Sequence, residues 1–255
     1  MHPQPVIRPA GSRRRAALFI GAAVVVAILA AGGYGLWYLF LQPPGPAAVG
    51  DATLPPVATA AGASSQPLAS GQISGTWNVD TSIGSFSDFT SSFVGYRVQE
   101  QLASIGANTA VGRTPNVSGS LTIDGTKVTA VTVTADLTAL QSNDHRRDGQ
   151  LARQGIQTSQ FPTATFTLTS PLDLGSVPAD GQEIQVTAAG QLTLHGVTRD
   201  VQIPLKAKLS GSTIAVSGSL PIAFSDYGIE KPNSFMVLTI ADQATMELQL
   251  FFTHA

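Results

Sequence analysis

The sequence has 255 residues, a formal net charge of −2 at pH 7 and no cysteine. A nearly neutral chain without a basic stripe is atypical of nucleic-acid-binding proteins, because phosphates are held mainly by Lys and Arg. The absence of cysteine excludes disulfides, thiolate metal sites and cysteine nucleophiles. It also excludes a lipidated cysteine anchor, so any membrane attachment must come from the peptide itself.

The first apolar stretch, 16–41, contains no charged residue. At about 1.5 Å rise per residue it is long enough to cross a hydrocarbon layer of roughly 30 Å. Arginines occur in the preceding segment 1–15, so the positive-inside rule predicts a cytoplasmic N-terminus and an extracytoplasmic C-terminal domain. The alternative is a cleaved signal peptide with a site near Ala58–Ala60, although its apolar region is normally only about 7–15 residues. The sequence therefore predicts a single-pass protein of the cell membrane.

The segment 42–74 is rich in Pro, Ala, Gly and Ser and has no apolar periodicity. Such a composition buries too little apolar surface to offset the entropy of ordering the chain. We therefore expect a disordered linker that separates the membrane segment from a folded domain over 75–255.

The folded domain shows a period of two, with apolar and polar residues alternating and β-branched residues frequent. The pairs Asp124-Gly125 and Gly211-Ser212 interrupt this pattern and are typical of tight hairpin turns. Strands of a parallel sheet would read as continuous apolar runs, so the alternation predicts antiparallel strands with one apolar face. The domain is therefore predicted to be all-β, as a sandwich or a closed antiparallel barrel.

One segment, Asn143 to Thr158, breaks the alternation with a cluster of charges and no β-branched run. It is predicted to form a short helix that begins at Asn143 or Asp144, because either side chain can accept hydrogen bonds from the first turn. The helix is expected to end near Gly155. A single short helix within an antiparallel meander is compatible with a lipocalin-like β-barrel.

Small residues recur on the predicted inner face, among them Gly119, Gly190, Gly218 and Ala188. In one interpretation they leave room for a cavity, since a solid eight-stranded interior is filled by large side chains. In the other they merely permit bends at the corners of the barrel. The sequence leaves both interpretations open.

Several segments, in this order and spacing, resemble the YceI-like family, the polyisoprenoid-binding, lipocalin-like domains of bacteria. They are Trp77–Asp80, the alternating stretch Val94–Val98, Gly112–Gly119, Arg147–Leu151 followed by Phe161–Phe166, Gly190–Thr198 and Ser225–Ile229. The resemblance implies an extended antiparallel barrel whose interior holds a long isoprenoid or fatty chain. With the N-terminal segment it is similar to a membrane-anchored, actinobacterial-type member that carries or senses a lipid of the cell envelope.

Three positions depart from the pattern of the family. Glu100 stands where a His is frequent, Phe224 where an Arg precedes Ser-Asp, and Thr114 where a Phe is usual. These changes concern recognition of the ligand's head group more than the barrel itself. Tyr96 and Glu100 share the parity of the neighbouring apolar residues, so both are predicted to face inward and to meet that head group. Alternatively, Glu100 lies past the end of its strand, in water.

The predicted cavity lining consists of inward-facing residues from most of the strands. These residues are Val94, Tyr96, Val98, Glu100, Leu121, Val131, Val133, Phe166, Leu168, Val186, Leu192, Ile203, Leu205, Val216 and Leu220. Neither catalytic nor metal-binding residues are predicted, because His195 is expected in a turn, His145 at a solvated helix start, and no His-x-x-x-His or Gly-x-Ser-x-Gly motif occurs. Arg147 and Asp148 are candidates to bridge the helix to the barrel.

The preferred hypothesis is thus a non-enzymatic protein, without a cofactor, that binds an elongated apolar lipid in a β-barrel cavity at the cell envelope. The alternative is a structural or protein-interaction β-domain with a filled core, displayed from the membrane.

Overall fold

The computed structural model describes residues 25–34, 45–49, 73–103, 106–232 and 237–255. The chain divides into two compact units, Met1–Pro44 and Gly45–Ala255. In the first unit the described residues form helix α1 (25–34), whose side chains are exposed. The described helices include none with the length and apolarity needed to cross a membrane. Much of the predicted membrane segment 16–41 lies outside the described residues.

The second unit is built from twelve strands joined in antiparallel pairs. The strands are β1 (Gly75–Val79), β2 (Phe93–Leu102), β3 (Gly106–Thr114), β4 (Val117–Asp124), β5 (Lys127–Asp136), β6 (Gln141–Ser142), β7 (Thr163–Leu168), β8 (Leu172–Asp173), β9 (Glu183–Leu194), β10 (Val197–Ser210), β11 (Thr213–Ala223) and β12 (Val237–His254). Helix α2 (His145–Arg153) and 3₁₀ turns at Phe86–Asp88, Leu137–Ala139 and Phe224–Tyr227 complete the unit.

The sheet closes on itself. Neighbouring strands follow the circuit β1–β4–β5–β7–β9–β10–β11–β12, and β12 pairs back with β1, so the wall is an eight-stranded barrel. Strands β1 and β2 lie one after the other along the same edge of β12, and β3 pairs with β2 as β4 pairs with β1. The wall is thereby extended at one end by β2, β3 and β6. Closure leaves few unpaired strand edges, which agrees with the predicted antiparallel barrel.

The hairpin turns follow from residues that accept a positive φ. His195 and Gly196 form a two-residue loop with φ of 52° and 74°, and Gly211 opens the next loop with φ of 59°. In the β4–β5 hairpin, Asp124 pairs with Lys127, so the loop is Gly125-Thr126. The turn therefore lies one residue later than the predicted Asp124-Gly125, because Gly125 (φ 59°) occupies the first loop position.

Helix α2 lies where the sequence predicts it. Its N-cap is Asp144, whose carboxylate accepts a hydrogen bond from the backbone N–H of Arg146 at 2.9 Å. The helix ends at Arg153, before Gly155, and the chain then reverses through Gln157 with a φ of 52°. Asp148 accepts hydrogen bonds from the N–H and the hydroxyl of Ser142, the latter at 2.6 Å. This contact ties the helix to strand β6, as predicted for Asp148.

A cluster of buried charges lies on the outer face of the wall formed by β2, β3 and β12. The Glu247 carboxylate binds Arg97 Nε at 2.9 Å and Arg113 Nη2 at 3.0 Å, and Glu247 and Arg113 are only 1% and 3% exposed. The guanidinium of Arg113 also lies over the rings of Phe89 and Phe93, at 4.5 and 4.4 Å from their centroids. The loop between β1 and β2 therefore covers part of this cluster.

Residues 45–49 cover another part of the same cluster. The Pro46 carbonyl accepts a hydrogen bond from Arg97 at 2.6 Å, the Ala47 carbonyl accepts one from Arg113 at 2.8 Å, and Val49 N–H donates to Glu247 at 3.4 Å. These residues lie within the predicted linker 42–74, so the expectation of disorder does not hold for them. Their backbone groups are ordered because they pair with buried charges that composition does not reveal.

Candidate functional site

The interior of the barrel contains a first cavity of about 170 Å³. Its wall is formed by the alternating inward residues of β4, β5, β7, β9, β10, β11 and β12 and is almost entirely aliphatic or aromatic. The predicted residues that line it are Val94, Leu121, Val131, Val133, Phe166, Leu168, Val186, Leu192, Ile203, Leu205 and Val216. A cavity of about 10–15 Å³ is enough to hold one water molecule. The first cavity is roughly ten times larger than that, so the barrel is hollow.

A second cavity of about 130 Å³ lies toward β2, β3 and helix α2. Tyr96, Val98 and Glu100 line it, as their parity predicts. The structure adds Leu151 and Ile156, which come from α2 and the loop that follows. The sequence-based prediction missed Leu151 and Ile156, because the period-two pattern of the strands does not extend through the helix. They are nevertheless apolar residues within a strongly polar segment, which is a signal that the sequence contains.

The two cavities share part of their wall. Val94, Ala164, Leu192 and Met246 line both of them, so the two cavities are adjacent at this ring of residues. Strand β10 has 14 residues, which at roughly 3.3 Å per residue and a tilt of about 40° corresponds to a barrel about 35 Å tall. Two adjacent cavities inside a barrel of this height suit an elongated, largely apolar molecule.

Of the predicted lining residues, Leu220 alone lines neither cavity. Its side chain packs against the apolar cluster of Leu192, Ile222 and Tyr227. Tyr227 belongs to the 3₁₀ turn that follows β11, and sequence periodicity does not reveal how this turn folds back onto the wall.

The space beside the inner-face glycines is filled by neighbouring side chains. A Cβ atom at Gly190 would collide with the ring of Phe166, one at Gly218 with the side chain of Leu205, and one at Gly112 with the ring of Tyr96. Each glycine thus admits a large side chain from its neighbour. For Gly190 and Gly218 the interpretation that small inner-face residues leave room for the cavity is therefore wrong, and the void is left by the aliphatic side chains around them.

The polar part of the second cavity is centred on Glu100. Its carboxylate accepts hydrogen bonds from Arg147 Nη2 at 2.7 Å and from Asn108 Nδ2 at 2.6 Å, and Glu100 is only 8% exposed. Arg147 also donates to Asn143 at 2.9 Å. Glu100 lies within β2 and not past its end, so the alternative that it stands in water is wrong. Arg147 bridges the helix to the barrel, as predicted.

Tyr96 lies beside this ion pair. Its hydroxyl oxygen is buried and has no hydrogen-bond partner among the described residues. Burial raises the pKa of Tyr96 well above its usual range, while the positive charge of Arg147 acts in the opposite direction. The hydroxyl is therefore protonated at neutral pH and can donate a hydrogen bond.

The described histidines are not grouped into a site. His195 lies in the β9–β10 turn, and its Nδ1 is 2.9 Å from the carbonyl of Tyr227, which agrees with the predicted turn residue bonded to backbone. The side chain of His145 is fully exposed at the start of α2. Within the described ranges, no three His, Asp or Glu side chains are grouped as metal ligands would be.

The fold and the site together define a lipocalin-like, eight-stranded antiparallel barrel with two adjacent, largely apolar cavities. The sequence model of the YceI-like domain family matches residues 77–252, so this chain belongs to the YceI-like family. The protein YceI of Escherichia coli O157:H7 is 32% identical over 164 residues, which cover 63% of this chain and 78% of that protein. The protein YceI of Salmonella arizonae is 31% identical over the same length.

Among solved structures, a polyisoprenoid-binding domain from Saccharophagus degradans, implicated in plant cell wall breakdown, is similar with a TM-score of 0.55. It is 21% identical in sequence, and the match covers 70% of this chain and 98% of that domain. At this level of identity the likeness supports the fold.

Proposed function

We propose that the barrel binds an elongated apolar lipid, a polyisoprenoid or fatty chain, in its two cavities and performs no chemistry on it. The observation that carries the proposal is the ring of Val94, Ala164, Leu192 and Met246, which lines both cavities and so makes them neighbours inside the barrel. A filled core, as the alternative hypothesis requires, is incompatible with cavities of about 170 and 130 Å³. Membership of the YceI-like family and the similarity to a polyisoprenoid-binding domain add support.

The most direct test is native mass spectrometry of the full chain purified from its own host. A bound lipid should appear as a non-covalent adduct, because each buried CH₂ group contributes about 0.8 kcal/mol. Protein that is consistently free of lipid and takes up no labelled polyprenyl chain would refute the proposal.

A substitution at the shared ring tests whether the ligand occupies both cavities. Ala164→Phe should block the passage between the two cavities. We expect at least tenfold weaker binding of a long polyprenyl chain and little change for a ten-carbon chain that fits one cavity. Ala130→Phe, the same substitution at an exposed position of β5, is the matched control and should bind both chains as the wild type does.

We further propose that segment 16–41 anchors the protein in the cell membrane, with the barrel on the extracytoplasmic side. The proposal rests on the uncharged stretch and the arginines that precede it. Because the chain has no cysteine, single cysteines report their location without background. A membrane-impermeant maleimide should label Ser176→Cys in intact cells and Ser12→Cys only after permeabilisation. The reverse pattern, or a mature protein that lacks the first 40 residues, would contradict this topology.

A further inference from the structure

The second cavity has an unusual balance of charge for a lipid site. Among the described residues that line it, Arg147 is the one cation, whereas Glu100 and Glu230 are carboxylates. Arg147 is already paired with Glu100 at 2.7 Å, and its side chain is 15% exposed. Glu230 is exposed at the edge of the cavity. The lining therefore carries an excess of negative charge, and its cation is neutralised internally.

This balance disfavours an anionic guest. A phosphate that enters the cavity would lose hydration and face two carboxylates, and the guanidinium that could bind it is held by one of them. A neutral hydroxyl or carbonyl carries no such penalty. It can use the hydroxyl of Tyr96, which is buried beside the ion pair and has no partner among the described residues. Repulsion between these carboxylates and an anionic head group thus selects against phosphate-bearing ligands.

From this charge balance and the buried ion pair we infer that the ligand's head group is neutral and lies in the second cavity, next to Tyr96, Glu100 and Arg147. The ligand class is then a polyprenol or a similar hydroxyl- or carbonyl-bearing lipid, and not a polyprenyl phosphate or a fatty acid anion. This inference rests on the proposed function and specifies the chemistry of its ligand.

The test compares polyprenol and polyprenyl monophosphate of the same chain length, each titrated into the full-length protein. We expect the wild type to bind the alcohol at least tenfold more tightly than the phosphate. Glu100→Gln should reduce that ratio at least tenfold, because it removes one carboxylate and releases Arg147 to bind phosphate. Tighter binding of the phosphate by the wild type, or an unchanged ratio in Glu100→Gln, overturns the inference.

Two further variants keep the test decisive. Glu230→Gln lies at an exposed position, so it should fold even if Glu100→Gln does not, and it should shift the ratio in the same direction by a smaller factor. Glu183→Gln removes an exposed carboxylate at the start of β9, away from the second cavity, and should leave the ratio unchanged. If Glu230→Gln and Glu183→Gln changed the ratio of alcohol to phosphate affinity equally, the inference would be overturned. Failure of both lipids to bind would instead refute the proposed function, and the inference with it.

Discussion

The two faces of the wall formed by β2, β3 and β12 have opposite chemistry. The inner face presents residues such as Val98 and Met246 to the second cavity, whereas the outer face buries the Arg97–Glu247–Arg113 cluster beneath residues 45–49 and the β1–β2 loop. Both arise from the same strands, because consecutive side chains point to opposite faces. The inner face lines cavities and carries one ion pair, Glu100–Arg147, whereas the outer charges are largely covered by other parts of the chain.

The difference shows which face needs a partner from elsewhere in the chain. Most side chains around the cavities are apolar and need no hydrogen-bond partner, and the buried Tyr96 hydroxyl is an exception that a ligand could satisfy. Buried charges must be paired and hydrogen-bonded, so the outer cluster recruits the Pro46 and Ala47 carbonyls and the Phe89 and Phe93 rings. Burial lowers the pKa of Arg113, and the hydrogen bond with Glu247 opposes that effect.

The largest effect is expected from Glu247→Ala. The substitution leaves Arg97 and Arg113 without their counter-ion at a buried site, so the free energy of unfolding should fall by about 3–5 kcal/mol in urea denaturation. Asp242→Asn breaks the exposed Lys231–Asp242 pair and serves as the control, with no measurable change expected. A loss below about 1 kcal/mol for Glu247→Ala would show that the cluster is solvated, and the contrast between the faces would disappear.

An intermediate effect is expected from Gly112→Ala on the inner face. The added Cβ atom would collide with the ring of Tyr96, and overpacking of this kind costs about 1–3 kcal/mol. Because the nearest atoms all belong to the Tyr96 side chain, Tyr96→Leu should recover part of the loss in the double variant. Strictly additive losses would show that the backbone, and not the ring, limits this position.

The smallest effect is expected at Asp136, which ends β5 and lies outside the wall formed by β2, β3 and β12. Its carboxylate caps the Leu137–Ala139 turn by accepting hydrogen bonds from Thr138 N–H at 2.9 Å and Oγ1 at 2.6 Å. Asp136→Ala should therefore cost about 1 kcal/mol at pH 7 in thermal or urea unfolding.

The same variant has a defined pH dependence. The hydrogen bonds from Thr138 hold the pKa of Asp136 below its ordinary value. A lowered folded-state pKa means that the contribution is complete above the unfolded pKa of about 3.9 and is lost as the pH falls through the folded value. The difference in unfolding free energy between wild type and Asp136→Ala should thus be constant from neutral pH to about pH 5 and shrink below pH 4. A difference that grows on acidification would contradict the cap.

Predictions from local patterns were the most accurate. The alternation around Leu121, Val133 and Val186 correctly indicated the residues that face the first cavity, because strand parity depends only on neighbouring positions. Capping chemistry likewise indicated an N-cap of α2 at Asn143 or Asp144, and the structure has Asp144 as the N-cap, because a cap depends only on the residues of the first turn. The exception is Leu220, whose environment depends on a turn that folds back onto its strand.

The sequence by itself determined the antiparallel strands, their apolar faces, the tight turns to within one residue and the inward direction of Tyr96, since each depends on a few adjacent residues, whereas it left the environment of Glu100 open. Only the tertiary structure decided that β12 pairs with β1 to close the barrel, that Arg147 neutralises Glu100, and that residues 45–49 cover the outer charges. These contacts join residues far apart in the chain. Their formation depends on the three-dimensional geometry of the closed wall, which local composition and periodicity do not encode.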